Sequence, residues 1–191
     1  MEIDNLLDVR TKEDLRAWLS EKGRTERSCW VIISLKPTPG ILLYLDAVEQ
    51  ALCFGWIDGT TKKYSETEFA QRLSPRRPKS SWTELNKERA RRLERLGLMT
   101  EEGRNVLPDL HPDSFRIDPL IEQRLKEDAV VYEHFTKFPV LYRTVRIDTI
   151  QSYKKDAELF NKRLDKFIKF TRQNKMYGQW HDDGRLLEGL N

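Results

Sequence analysis

A change of hydrophobic period at Gly55 does most to limit what this chain can fold into. Before it, Leu45, Val48 and Leu52 recur at helical spacing across residues 44–54. Gly55 then stops the helix. Beyond it, residues 56–63 and 68–74 read as two strands joined near 64–67, an antiparallel hairpin. On the second strand Phe69 and Leu73 share one face, and Ala70, Arg72 and Ser74 share the other, because strand side chains alternate.

The flanking sequence extends this pattern. Thr11 and Asp14 make a capping-box-like start, Leu15, Trp18 and Leu19 follow as an apolar stripe, and Gly23 ends that helix. The β-branched run at residues 30–33 predicts a buried strand, closed by a turn at 37–40. Ser81 and Glu84 form a capping box for a helix to about Leu96, with Gly97 as its stop. A short helix is expected over 100–107. Residues 108–117 are polar and aperiodic, which marks a boundary. Asp118 and Pro119 then open a series of helices, expected near 118–126, 128–138, 139–153 and 156–174. In the last, Leu159, Phe160, Leu164, Phe167, Ile168 and Phe170 form an apolar stripe, read as core.

The expected fold is therefore α+β, a small antiparallel sheet with packed helices followed by a helical C-terminal part. The expected divisions are 1–110, 111–178 and a loosely held tail over 179–191. A hydrophobic content of 38% and a charged content of 34% suit a helix-rich chain with solvated faces. No apolar run is long enough to cross a bilayer, and the start lacks a signal-peptide pattern, so a cytoplasmic protein without membrane insertion is expected. Cys29 and Cys53 make no CxxC pair and read as free thiols. The three histidines, His111, His134 and His181, show no zinc spacing, and no metal or cofactor is expected.

Two stretches carry a resemblance. Residues 51–59, Ala-Leu-Cys-Phe-Gly-Trp-Ile-Asp-Gly, come first. Residues 72–82, Arg-Leu-Ser-Pro-Arg-Arg-Pro-Lys-Ser-Ser-Trp, are followed by Asn86 and Arg89-Ala90. In order and spacing these resemble the YdeI/OmpD-associated family, also labelled bacteriocin-protection proteins, across roughly residues 10–105. The resemblance implies links to envelope stress and bacteriocin protection. It implies no agreed activity, and no catalytic residue is carried over.

The formal net charge is only +3, yet residues 60–95 hold eleven lysines and arginines against five glutamates. Such a local excess points to an anionic partner. The same composition fits a solvated helix face of alternating charges. Helical spacing places Arg89 within the stripe Trp82, Leu85, Leu93 and Leu96, with Asn86 beside it. A charge there needs partners, and Asp58 is the candidate. Arg72, Ser74 and Arg76 follow the hairpin strand, with Pro75 disturbing the alternation. Lys79 and Ser81 precede a helix start, whose N–H groups favour anions. Trp56 and Trp82 could wall a pocket. The expected binding set is thus Trp56, Asp58, Arg72, Ser74, Arg76, Lys79, Ser81, Trp82, Asn86 and Arg89.

From this follows an expected non-catalytic, stress-related protein binding a small anionic ligand or an acidic partner at the hairpin–helix junction. Nucleic-acid binding is the alternative, without a standard reading motif to support it. An enzyme of unknown class using the same pocket is the third.

Overall fold

The computed structural model describes residues 2–188. The chain divides into two compact units, Met1–Ser81 with Arg89–Pro108 and Trp82–Glu88 with Asp109–Asn191. The fold is α+β, with a five-stranded, mostly antiparallel sheet, packed helices and a helical C-terminal region.

The first unit holds β1 (Leu6–Leu7), α1 (Lys12–Lys22), β2 (Cys29–Ser34), β3 (Leu42–Leu43), α2 (Tyr44–Cys53), β4 (Trp56–Lys63) and β5 (Phe69–Pro75). It also takes in α3 (Glu84–Arg95) from Arg89 onward, and α4 (Glu101–Arg104). Strand order is β1-β2-β5-β4. The short strands β1 and β3 run parallel to β2, against Trp30–Val31 and Ile33–Ser34 respectively. Because β5 holds one edge of β2, both must share the other.

Register decides the faces. Val31, Ile33, Phe69 and Leu73 pack with Leu15, Leu19, Ala47, Ala51 and Trp56 into the main core of this unit. Trp30, Ile32 and Ala70 face the opposite way, beside Ile3 and Ile41. Arg72 pairs in register with Trp30, and so belongs to this second face. A register shift interrupts the hairpin between Asp58 and Thr61. Gln71, fully buried, serves that irregularity. Its amide donates to the Gly59 carbonyl at 3.1 Å, and its oxygen accepts from the Thr61 hydroxyl at 2.5 Å.

Glycines set two close approaches. Gly55 has φ +74, and a Cβ there would stand 2.8 Å from the Glu102 carbonyl oxygen. A Cβ on Gly103 would stand 2.2 Å from the Cys53 carbonyl oxygen. That same oxygen accepts from the Thr100 N–H at 3.0 Å and from the Thr100 hydroxyl at 2.7 Å. The C-terminus of α2 is thereby tied to the cap of α4. The helix expected over 100–107 is correspondingly shorter, with regular α-helix only over Glu101–Arg104.

The second unit holds the first turn of α3, then α5 (Pro119–Lys126), α6 (Ala129–Lys137), α7 (Val140–Gln151) and α8 (Ala157–Arg172). Asp118, Asp128 and Asp156 cap α5, α6 and α8 through their carboxylates. Tyr142, Phe135, Phe138, Phe160, Leu164, Phe167 and Trp180 form its core with aliphatic neighbours. Phe170 is only half-buried and leans on Tyr177, with ring centroids 4.7 Å apart.

Three expectations need correction. The cap of α3 is Thr83, not Ser81: the Thr83 hydroxyl accepts from the Asn86 N–H at 3.2 Å. The Glu84 N–H donates to the Asp148 carboxylate at 3.0 Å, a partner 64 residues away that no local motif discloses. At the far end, Leu96 is 52% exposed, so the buried face of α3 is Arg89, Ala90 and Leu93. Gly97, at φ +68, does end this helix, with Leu98 N–H bonding the Leu93 carbonyl at 3.0 Å. Finally, the expected loose tail is docked over its described part. Trp180 meets Tyr142 edge-on at 5.5 Å, Leu186 is fully buried, and the Gln179 carbonyl accepts from Arg146 Nη2 at 2.6 Å. Residues 189–191 of that tail lie outside the described residues.

Candidate functional site

The open end of the hairpin places Arg76 beside Gly55, whose carbonyl accepts the Arg76 N–H at 2.9 Å. Pro75 does break the alternation. The Arg76 side chain lines a cavity of about 730 Å³ walled by α1, the end of α2 and α4. Trp56, Phe54, Leu19 and Val106 supply apolar surface. Arg16, Arg24, Glu13 and Glu102 supply charge.

The cations in this cavity are differently held. Arg16 donates to the Gln50 side chain and to the Leu98 carbonyl, both at 3.0 Å, and lies over the Phe54 ring. Arg24 pairs with Glu102, and that contact is the main cause holding the Glu102 carboxyl down at about 2. Arg76 is only 5% exposed. Burial pulls its pKa down to about 10, against the pull of Asp58 in the other direction, so it stays charged at neutral pH. Its Nη1 donates to the Ser81 carbonyl at 3.4 Å.

Trp56 forms the floor rather than a free wall. It is 1% exposed, donates from Nε1 to the Gly23 carbonyl at 3.1 Å, and meets Trp18 edge-on. Asp58 accepts from the Tyr44 hydroxyl at 2.8 Å, a neutral partner that sequence reasoning did not anticipate. Arg72 and Ser74 follow the opposite sheet face, in register with Trp30 and Ile57. Lys79 is exposed in a left-handed conformation (φ 60), and the Ser81 side chain makes no cap. Arg89 is buried on α3. Trp82 and Asn86 belong to the second unit.

Of the ten expected residues, Trp56 and Arg76 therefore line this cavity, with Asp58 acting on Arg76 through its charge. The anion-attracting start of α3 is occupied internally by Asp148 and Thr83. Arg16, Arg24 and Glu102 were missed. Helical periodicity places Arg16 on the solvated side of α1, where an arginine draws no notice. Both thiols are buried, and burial pushes Cys29 up to about 12 and Cys53 to about 11, leaving neither nucleophilic near neutral pH. Among the described residues no group of three or more His, Cys, Asp or Glu is placed to hold a metal ion. Among them, too, no helix is long and apolar enough to cross a membrane.

Every residue that lines the cavity falls between positions 13 and 106. A family pattern spans the same stretch, matching residues 7–106. The chain belongs to the family described as Domain of unknown function (DUF8412). No curated protein and no solved structure matches it. The family segment thus contains the whole cavity, together with the hairpin that delivers Arg76.

Proposed function

We propose that this chain is a non-catalytic binding protein that takes a small anionic ligand, or an acidic group of a partner, beside Arg76 at the end of the hairpin. The observation that carries the reading is the burial of the Arg76 guanidinium in the wall of a roughly 730 Å³ cavity. Desolvating that charge is unfavourable, as its lowered pKa records. A carboxylate or phosphate entering the cavity would meet the guanidinium through charge-assisted hydrogen bonds. The apolar surface of Trp56, Phe54 and Val106 suits the remainder of an organic anion. The resemblance of residues 51–59 and 72–82 to YdeI/OmpD-associated proteins supports a stress-related role.

The test is a thermal-shift panel of phosphate, citrate and other organic acids on the full chain. A ligand that raises Tm in the parent, and fails to do so in Arg76→Gln, is the expected result. Arg72→Gln, on the opposite sheet face, should keep the response. Absence of any shift across the panel, or a shift that Arg76→Gln retains, overturns the reading.

A further inference from the structure

The second unit carries a separate groove of about 410 Å³ between α7, α8 and the segment after α8. Arg146 comes from α7, and Lys162, Arg163 and Lys166 come from α8. Tyr177 and Gly178 close one side. Lys162 and Lys166 are one helical turn apart, a like-charge arrangement that opposes helix formation.

Several other cations of this unit are met by carboxylates. Arg124 pairs with Glu127 and Asp165, Lys126 with Glu122, Lys137 with Glu133, Lys154 with Asp118, and Arg172 with Asp128. Among the described residues none of the four groove cations forms an ion pair. Their contacts are neutral instead. Arg163 lies over the Tyr153 ring at 4.0 Å, and Lys166 over the Tyr177 ring at 5.0 Å. Arg146 lies over the same Tyr177 ring at 5.6 Å, while its Nη2 is fixed on the Gln179 carbonyl.

The backbone accommodates that placement. Gly178 has φ +72, and a Cβ there would stand 2.6 Å from Arg146 Nη1. Only glycine lets the chain pass so close to the guanidinium in this conformation. Arg146 is thus positioned before any ligand arrives.

We propose that this groove binds a compact ligand through a phosphate or diphosphate group. Two guanidiniums offer planar forks and two ammonium groups offer point charges, the donor set that a multiply charged phosphate requires. The volume admits a small molecule. This site is independent of the Arg76 cavity and shares no residue with it.

The probe is pyrophosphate, titrated calorimetrically into the full chain at low salt, with citrate and a mixed-sequence single-stranded oligonucleotide as comparisons. One pyrophosphate should bind per chain. Arg163→Gln and Lys162→Gln should each weaken it roughly tenfold or more, the scale of a lost charged hydrogen bond. Lys137→Gln, outside the groove, should leave it unchanged. Arg76→Gln should also leave it unchanged, which separates this site from the cavity of the first unit. Because Arg146→Gln also releases Gln179, Lys162→Gln is the variant that tests binding without disturbing the fold. No pyrophosphate binding, binding unaffected by Arg163→Gln and Lys162→Gln, equal affinity for citrate, or oligonucleotide binding that exceeds pyrophosphate and grows with length would each overturn the proposal.

Discussion

The two units reach order by different means. In the first, the decisive contacts join residues far apart in the chain: Arg92 with Glu49 at 2.9 Å, Thr100 with Cys53, and Arg24 with Glu102. In the second, three of the four complete helices begin at an aspartate that caps its own N-terminus. The difference extends to charge. In the cavity of the first unit Arg24 is met by Glu102 and Arg16 is held by Gln50 and the Leu98 carbonyl, whereas the groove of the second unit leaves four cations without a carboxylate. Arg146 holds the Gln179 carbonyl, whereas Lys162 and Lys166 are exposed and form no ion pair among the described residues, which leaves their charges available to a ligand.

The sharpest test of this contrast is Arg92→Ala. It removes the charge that meets the largely buried Glu49 carboxylate at 2.9 Å, and should destabilise the chain by about 3 kcal/mol in denaturant unfolding. Gly103→Ala should follow at about 2 kcal/mol, because its methyl group meets the Cys53 carbonyl in a packed site. Asp156→Ala removes the carboxylate that accepts the Leu159 N–H at 3.0 Å, and should cost about 1 kcal/mol. If Asp156→Ala proves more damaging than Arg92→Ala, the contrast between distant and local ordering is inverted.

Smaller effects sharpen the picture. Carboxyl titration by NMR should place the Glu102 midpoint near 2, and Arg24→Gln should return it toward its ordinary value near 4.5. With a folded value below the unfolded one, the contribution of Glu102 is present above pH 4.5 and fades as pH falls toward 2. Cys29 and Cys53 should resist iodoacetamide at pH 8 in the folded chain and react once it is unfolded. Rapid alkylation without unfolding would contradict the burial of both.

This same contrast governs what could be read from the sequence. The hairpin was legible because its strands are eight and seven residues long and the second places Phe69 and Leu73 on one face, and the later helices because Asp118, Asp128 and Asp156 announce them. Strands β1 and β3, two residues each, are too short to show a period, and their pairing depends on β2. Ser81 looked like the cap of α3 since the true arrangement needs Asp148. Trp180 and Leu186 follow no periodic pattern, so their burial depends on neighbours brought in by folding. The site was only partly legible for the same reason. Trp56, Asp58 and Arg76 stand close in sequence, but Arg16, Arg24 and Glu102 reach the cavity from separate elements. The groove escaped notice because its cations lie on two helices, one of which reads mainly as an aromatic core stripe.

The bond from the Glu84 N–H to Asp148 has a consequence for how this chain can diverge. Residues 82–88 lie inside the family segment, yet they serve the helical unit, where Leu85 packs on its core. A relative that kept the segment but replaced everything after it would lose the Asp148 acceptor at this helix start. Because the donor is a backbone N–H, the bond does not depend on the side chain at 84, and an acceptor at 148 is expected to persist wherever this helix start does, tying two stretches of the gene to a shared history.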